Sequence, residues 1–184
     1  MKKIIFLTGV SGAGKTTIMD LLLEDKRFVR VCSTTTRKPR PEEIEGEHYL
    51  FTSTSEFEHL IEQKKFLEYA YVHQIAYYGT RLDLIEDVLS QGKIPVKTID
   101  PIGMEIIQIK GKIKDQYLCF FLDIPEEIMR ERILHRQPDM NTMELQHRLD
   151  SAHEERIIAK RLDCIMIDTS PSIEDVLAMV KSYL

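Results

Sequence analysis

A chain of 184 residues, 43% apolar and 30% charged, has the make-up of one ordinary soluble domain with length for a real core, which excludes a disordered or fibrous protein. Its 25 Lys and Arg against 30 Asp and Glu leave a net charge of -5, which argues against binding nucleic acid or an anionic membrane through bulk charge and makes any basic site local. Three cysteines, Cys32, Cys119 and Cys164, show no short metal-ligand spacing and read as buried small apolar residues of a reducing compartment.

In chain order, Met1-Lys2-Lys3 before Ile4-Ile5-Phe6-Leu7 has the look of a signal-peptide front. Gly9 and Lys15 interrupt the apolar run before any export or membrane-spanning length, so a cytoplasmic location is expected. Residues 3–7 are predicted as a buried parallel strand, and Ile18, Met19, Leu21, Leu22 and Leu23 follow at helical spacing. Between them, residues 9–16 read Gly-Val-Ser-Gly-Ala-Gly-Lys-Thr and match G-x-x-x-x-G-K-[ST] at every fixed position, in the required setting of strand before and helix after. Such a loop turns backbone amides toward phosphate oxygens and adds the positive end of a helix dipole. Lys15 is placed to neutralise the β- and γ-phosphates and Thr16 to ligate Mg²⁺. Nucleoside triphosphate binding, by ATP once the resemblance below is taken in, is therefore assigned to Gly9, Val10, Ser11, Gly12, Ala13, Gly14, Lys15, Thr16 and Thr17, although the loop alone does not separate a kinase from an ATPase or GTPase.

Residues 33–80 are richer in Thr, Ser, Glu and aromatics. The alternation over 47–51 suggests an antiparallel strand, and Phe57, Leu60 and Ile61 mark one face of a short helix over 55–64. Strand and helix then alternate: helix 81–91, strand 94–99, helix 101–110, strand 117–122, helices 126–136 and 142–161, strand 164–167 and helix 171–183. That order predicts an α/β fold, a parallel sheet of the P-loop NTPase type with helices on both faces, plus a mixed α/β lobe.

The segments STTTRKPRPEEIEGEHYLF (33–51), FLEYA (66–70), YYGT (77–80) and TID (98–100), together with the phosphate loop, resemble guanylate kinase in order over nearly the whole chain. The resemblance implies transfer of a phosphoryl group from ATP to GMP or dGMP, with Mg²⁺, by a monomer or homodimer. It implies one domain with a core at about 1–32, 81–125 and 151–184, a GMP-binding lobe at about 33–80 and a lid at about 126–150. Ser33 and Glu68 match the positions that read guanine, with Thr80 and Asp100 nearby. That pairing suits the chemistry, since guanine offers an acceptor at O6 and donors at N1 and N2, the reverse of adenine. Arg37, Arg40, Tyr49 and Tyr78 match a phosphate clamp. Arg132, Arg136 and Arg148 match arginines of a lid that closes over ATP; the first two, four residues apart, share a helix face. No protein base is required, because the GMP phosphate oxygen is already anionic. The six histidines need not be catalytic, and His73 reads as a surface or packing residue.

Three departures carry expectations of their own. Thr98 stands where the family usually has an acid two residues before Asp100, which implies slower turnover or a shifted Mg²⁺ requirement. Asp168 stands where Asn is common near the adenine. The segment after Arg136 lacks the usual glycine and is about one residue longer, implying altered lid geometry. Two rivals remain: a kinase of the same fold acting on a ribose bisphosphate, which has no guanine edge for Ser33 and Glu68 to read, and a non-catalytic phosphopeptide-binding module, which typically lacks the phosphate loop retained here.

Overall fold

A computed structural model describes residues 4–72, 74–114 and 116–184. The chain opens with β1 (Ile4–Gly9), the phosphate loop, α1 (Lys15–Leu23), β2 (Phe28–Arg30), β3 (Ser33–Thr35), β4 (Tyr49–Phe51), α2 (Thr54–Glu62), β5 (Phe66–Val72) and β6 (Ala76–Arg81). It continues through α3 (Leu82–Ser90), β7 (Ile94–Thr98), α4 (Pro101–Lys110), β8 (Tyr117–Asp123), α5 (Glu126–Arg136), α6 (Thr142–Arg161), β9 (Ile165–Asp168) and α7 (Ile173–Lys181). Two sheets result. One has the order β2-β7-β1-β8-β9 with every pairing parallel, and the other is β4-β3-β6-β5.

The parallel sheet follows from the sequence physically. All six residues of β1 are buried, and because successive side chains in a strand point to opposite faces, both faces of the sheet must be covered. Here α1 packs with α7 against the sheet, and α4 and α6 pack with each other. Ile4, Ile5, Phe6 and Leu7 join Phe120, Phe121 and Leu122 of β8 in the main core, each contributing about 1.5–3 kcal/mol by leaving water. Polar caps fix four helix starts: Ser53 accepts from Glu56 N–H, Asp100 from Gly103, Asn141 from Glu144 and Ser172 from Asp175. Pro101 at the first turn of α4 sharpens that start.

The second sheet carries its own small core. Phe57 of α2 stacks on Phe66 at 4.3 Å and on Tyr77 at 5.0 Å. Gly79 of β6 lies under Phe66, where an added Cβ would stand 2.7 Å from Cδ1, so only glycine lets β5 and β6 approach here. β4 joins its sheet through β3, and the pairing is parallel rather than antiparallel as the alternation over 47–51 suggested. Alternation reports which faces are exposed, whereas direction is set by the 36–48 connection, which carries the chain back to enter β4 in the sense of β3. The short β2 and β3 and the β5–β6 hairpin have no counterpart among the predicted elements, because three-residue strands and an aromatic-rich hairpin offer little periodicity to read.

Cys119 and Cys164 are buried as expected, with their sulfurs 2.7 Å apart. Cys32 is buried too, but its thiol also donates to the carbonyls of Gly46 and Glu47, so it acts as a polar tie rather than as apolar filler. Residue 3 of the first predicted strand and His73 lie outside the described residues. Among the described residues no helix is long and apolar enough to cross a membrane.

Candidate active site

The phosphate loop leaves β1 at Gly9, whose φ of +140° and 2.1 Å approach of a notional Cβ to the Leu122 carbonyl admit only glycine. It enters α1 at Gly14, so the first-turn N–H groups of α1, which have no partners within the helix, face the loop. Lys15 folds back over the loop and donates to the carbonyls of Gly9 at 2.6 Å and Val10 at 2.9 Å. Burial lowers its pKa, with Arg136 acting the same way and Glu155 opposing both. Val10 and Ala13 are buried, and Thr16 and Thr17 are exposed at the start of α1. Ser11 lines a cleft with Gly9, Lys15, Thr98, Asp100 and Glu155.

A second cleft, of about 560 Å³, opens between the two sheets. Its lining includes Ser33, Tyr49, Glu68, Tyr78, Thr80 and Asp100, six of the eight residues predicted to hold the acceptor nucleotide. Glu68 and Thr80 are paired across β5 and β6, and Thr80 Oγ1 donates to Glu68 Oε1 at 2.6 Å. Glu68 is 8% exposed and Thr80 fully buried. Burial pushes the Glu68 carboxyl up, opposed by the Thr80 hydrogen bond and by Lys97. Asp100 is exposed at the mouth and spends Oδ1 on capping α4.

Arg37 is bound on every side: Nε donates to the Tyr78 hydroxyl at 2.9 Å, Nη2 to Glu43 at 2.7 Å and Nη1 to the Lys38 carbonyl. Its guanidinium lies 5.3 Å from the Tyr49 ring centroid, and Tyr49 meets Tyr78 edge to face. The Glu43 carboxyl is held down to about 2 by Arg37 and by the Arg40 N–H. Arg37, Tyr49 and Tyr78 are thus brought together, whereas Arg40 is exposed and its backbone N–H donates to Glu43.

The arginines of α5 and α6 do not form one cluster. Arg132 ties α5 to the loop, donating to the carbonyls of Gly12 and Thr169, each at 3.1 Å. Arg136 is exposed at the end of α5, close enough to lower the Lys15 pKa. Arg148 pairs with Glu144 one turn earlier on its own helix. After Arg136 the chain turns at Gln137 with φ -136°, a negative value open to any residue, which explains how the segment dispenses with a glycine.

Three groups here escaped sequence reasoning. Glu155 of α6 reaches the loop, and its buried Oε2 has no hydrogen-bond partner among the described residues; the clue was an acid two turns beyond Arg148 on the same helix face. Glu43, which positions Arg37, sat unremarked in the RPEE run. Lys97 of β7 is a lysine with 3% exposure that follows the apolar Ile94, Pro95 and Val96. Asp168, at the end of β9, accepts from the Ser170 N–H and lines a cleft with Pro125 and Arg156.

A parallel sheet whose central strand runs into a G-x-x-x-x-G-K-T loop, facing a second sheet with a carboxylate–hydroxyl pair and an arginine–tyrosine clamp, defines a P-loop small-molecule kinase. The family model described as guanylate kinase matches residues 1–184, and the chain belongs to that family. It is 37% identical over 184 residues to the guanylate kinase of Helicobacter pylori, covering 98% of this chain and 87% of that one. It is 33% identical over 180 residues to the guanylate kinase of Caldanaerobacter subterraneus subsp. tengcongensis, covering 96% and 85%. The solved guanylate kinase of Anaplasma phagocytophilum shares the fold, with a TM-score of 0.72 over 99% of this chain and 84% of that one at 24% identity. Members of the family are nucleoside monophosphate kinases that take ATP as phosphoryl donor, generally with Mg²⁺.

Proposed function

We propose that this chain transfers the γ-phosphoryl group of ATP to GMP, and more slowly to dGMP, by direct in-line displacement. The observation that carries the reading is the buried Glu68–Thr80 pair sharing one cleft with Ser33 and with the Tyr49 and Tyr78 side of the clamp. A carboxylate accepts from guanine N1–H and N2–H, and a hydroxyl donates to O6. Adenine presents the opposite pattern and leaves Glu68 against a lone pair. Arg37, Arg40, Tyr49 and Tyr78 hold the acceptor phosphate. The loop from Gly9 to Thr17 holds the donor triphosphate, Lys15 leaving its two carbonyl partners for the β- and γ-oxygens. Residues 126–150 act as a lid in which Arg132, already anchored to the loop, and Arg136 and Arg148 close on the transferring group.

The acceptor phosphate oxygen forms the new P–O bond as the bond to the ADP oxygen breaks, so the protein's contribution is alignment, charge and exclusion of water. Mg²⁺ fits the residues present. Thr16 offers one hydroxyl at the exposed start of α1, and in the neighbouring cleft beside Lys15 the Glu155 Oε2 that has no partner among the described residues and exposed Asp100 offer oxygens to a hydrated ion, the arrangement that ion favours. When bound, it offsets charge on the β- and γ-phosphates. The experiment is a substrate panel: ATP and Mg²⁺ with GMP, dGMP, AMP, CMP or UMP, following ADP. GMP is expected to lead and dGMP to follow; folded protein that turns over AMP better than GMP refutes the assignment.

A further inference from the structure

Lys97 is a group in the acceptor cleft whose presence neither the motif nor the phosphate chemistry calls for. It projects from β7, beside Phe6 of β1, with 3% exposure, and its Nζ donates to Ser33 Oγ at 2.6 Å. The titratable groups around it are Glu68 from β5, Cys32 just ahead of β3 and Asp100 just beyond β7; Phe6 of the neighbouring strand adds no charge. A lysine rarely sits this deep unless something holds it there, because burying an ammonium is costly.

We propose that Lys97 is a specificity-determining positioning residue for the purine acceptor, setting the hydrogen-bond polarity of the Ser33–Glu68 pair that reads the base. The proposal rests on the GMP reading above. An ammonium has three donors and no acceptor, so in the Lys97–Ser33 bond the hydroxyl oxygen must accept. The Ser33 proton is then free only to donate onward, toward a base acceptor such as guanine O6. With Lys97 present one of the two Ser33 lone pairs is already taken; without it both are open and the hydroxyl accepts more readily, which suits the N6 amine of adenine. The same charge favours Glu68 as an ionised, acceptor-only carboxylate, against the burial that pushes it toward its protonated form. One buried cation therefore fixes a donor beside an acceptor.

The arrangement also has a pH signature. Burial lowers the Lys97 pKa to about 8, with Glu68, Cys32 and Asp100 opposing the fall. Above that pH the neutral amine carries a lone pair, can accept from Ser33, and inverts the hydroxyl.

The test measures kcat and KM for GMP and AMP, and KM for ATP, in the wild type, Lys97→Met and Lys97→Gln between about pH 6 and pH 9.5, with thermal melts to establish folding. Both variants are expected to reduce the GMP-over-AMP ratio of kcat/KM by about tenfold or more, chiefly through KM for GMP, with KM for ATP within about twofold. The wild-type ratio should fall as pH rises through about 8, and the variants should show no such step. Ser33→Ala combined with Lys97→Met should lose less selectivity than the two single losses added together, because both act in part through the same hydroxyl. A GMP-over-AMP ratio and pH dependence unchanged in the folded variants, or a wild-type ratio flat through this range, overturns the proposal. A wild type that prefers AMP refutes the GMP reading itself, a separate outcome.

Discussion

Replacing Glu68 by Gln probes the acceptor site with almost no change in volume. In the wild type one carboxylate oxygen takes the Thr80 hydroxyl at 2.6 Å and the other is left for the base. Thr80 is fully buried, so its hydroxyl keeps an acceptor by drawing the oxygen of the new amide to its side, which turns the amide NH₂ toward guanine N1–H and N2–H. The substitution removes a charge-assisted bond of about 1.5–3 kcal/mol and sets donor against donor at a further cost of about 1–3 kcal/mol. A combined loss of about 2.5–6 kcal/mol corresponds to a fall in kcat/KM for GMP on the order of 10²–10⁴-fold. Xanthosine monophosphate carries a carbonyl where guanine has its 2-amino group. Glu68→Gln should therefore discriminate between the two far less than the wild type does, while KM for ATP stays within about twofold. The assay is steady-state ADP release with each acceptor at saturating ATP. A loss of less than about fivefold with GMP, or an equal loss in ATP affinity, would refute the role given to Glu68.

Lys15→Met is expected to lower kcat by at least about 10²-fold with the fold intact by circular dichroism, since a charge aimed at the transferring phosphate is removed. Gly79→Ala should force Phe66 and the Glu68 carbonyl away from a Cβ that would stand 2.7 and 2.9 Å from them, lowering stability by about 1–3 kcal/mol; an unchanged melting temperature contradicts the packing described. For acid pH, the wild-type kcat/KM for GMP should fall as Glu68 protonates at a pH above the ordinary carboxylate value of 4.5, and Glu68→Gln should lack that limb. For alkaline pH, Lys97 binds its proton less tightly folded, at about 8, than unfolded, at 10.5, so between those values the unfolded chain holds more protons and stability rises with pH. The difference in unfolding free energy between the wild type and Lys97→Met should shift by about 3 kcal/mol across that window, and a constant difference would count against the burial of the ammonium.

Much of the parallel core was readable because its signals are local: an apolar run that leads into a glycine loop, and strand and helix patterns that alternate from residue 81 onward. The second sheet was harder, since β3 and β4 have three residues each and their pairing depends on contacts 15 or more residues apart in sequence. At the site, Glu68, Ser33 and Tyr78 could be named from motifs, yet which atoms they offer depends on pairings the motifs do not state. Thr80 fixes one oxygen of Glu68 from the neighbouring strand, Glu43 fixes Arg37 across a turn, and Lys97, which lies outside every motif, fixes Ser33 from another sheet. Arg148 shows the opposite limit: its motif position is clear, but its side chain is engaged with Glu144.

The end of β7 has a consequence for how two substrates are kept in step. Ile99 N–H donates to the Leu7 carbonyl at 3.0 Å, so this strand end is fastened to the strand that becomes the phosphate loop. Lys97 reaches the acceptor cleft, Thr98 lines the ground between the clefts, and Asp100 borders both while anchoring α4. Four consecutive residues thus act as a ruler laid between donor and acceptor, its length set by covalent bonds. Any closure of the proposed lid would therefore work about a spacing that the peptide backbone has already fixed.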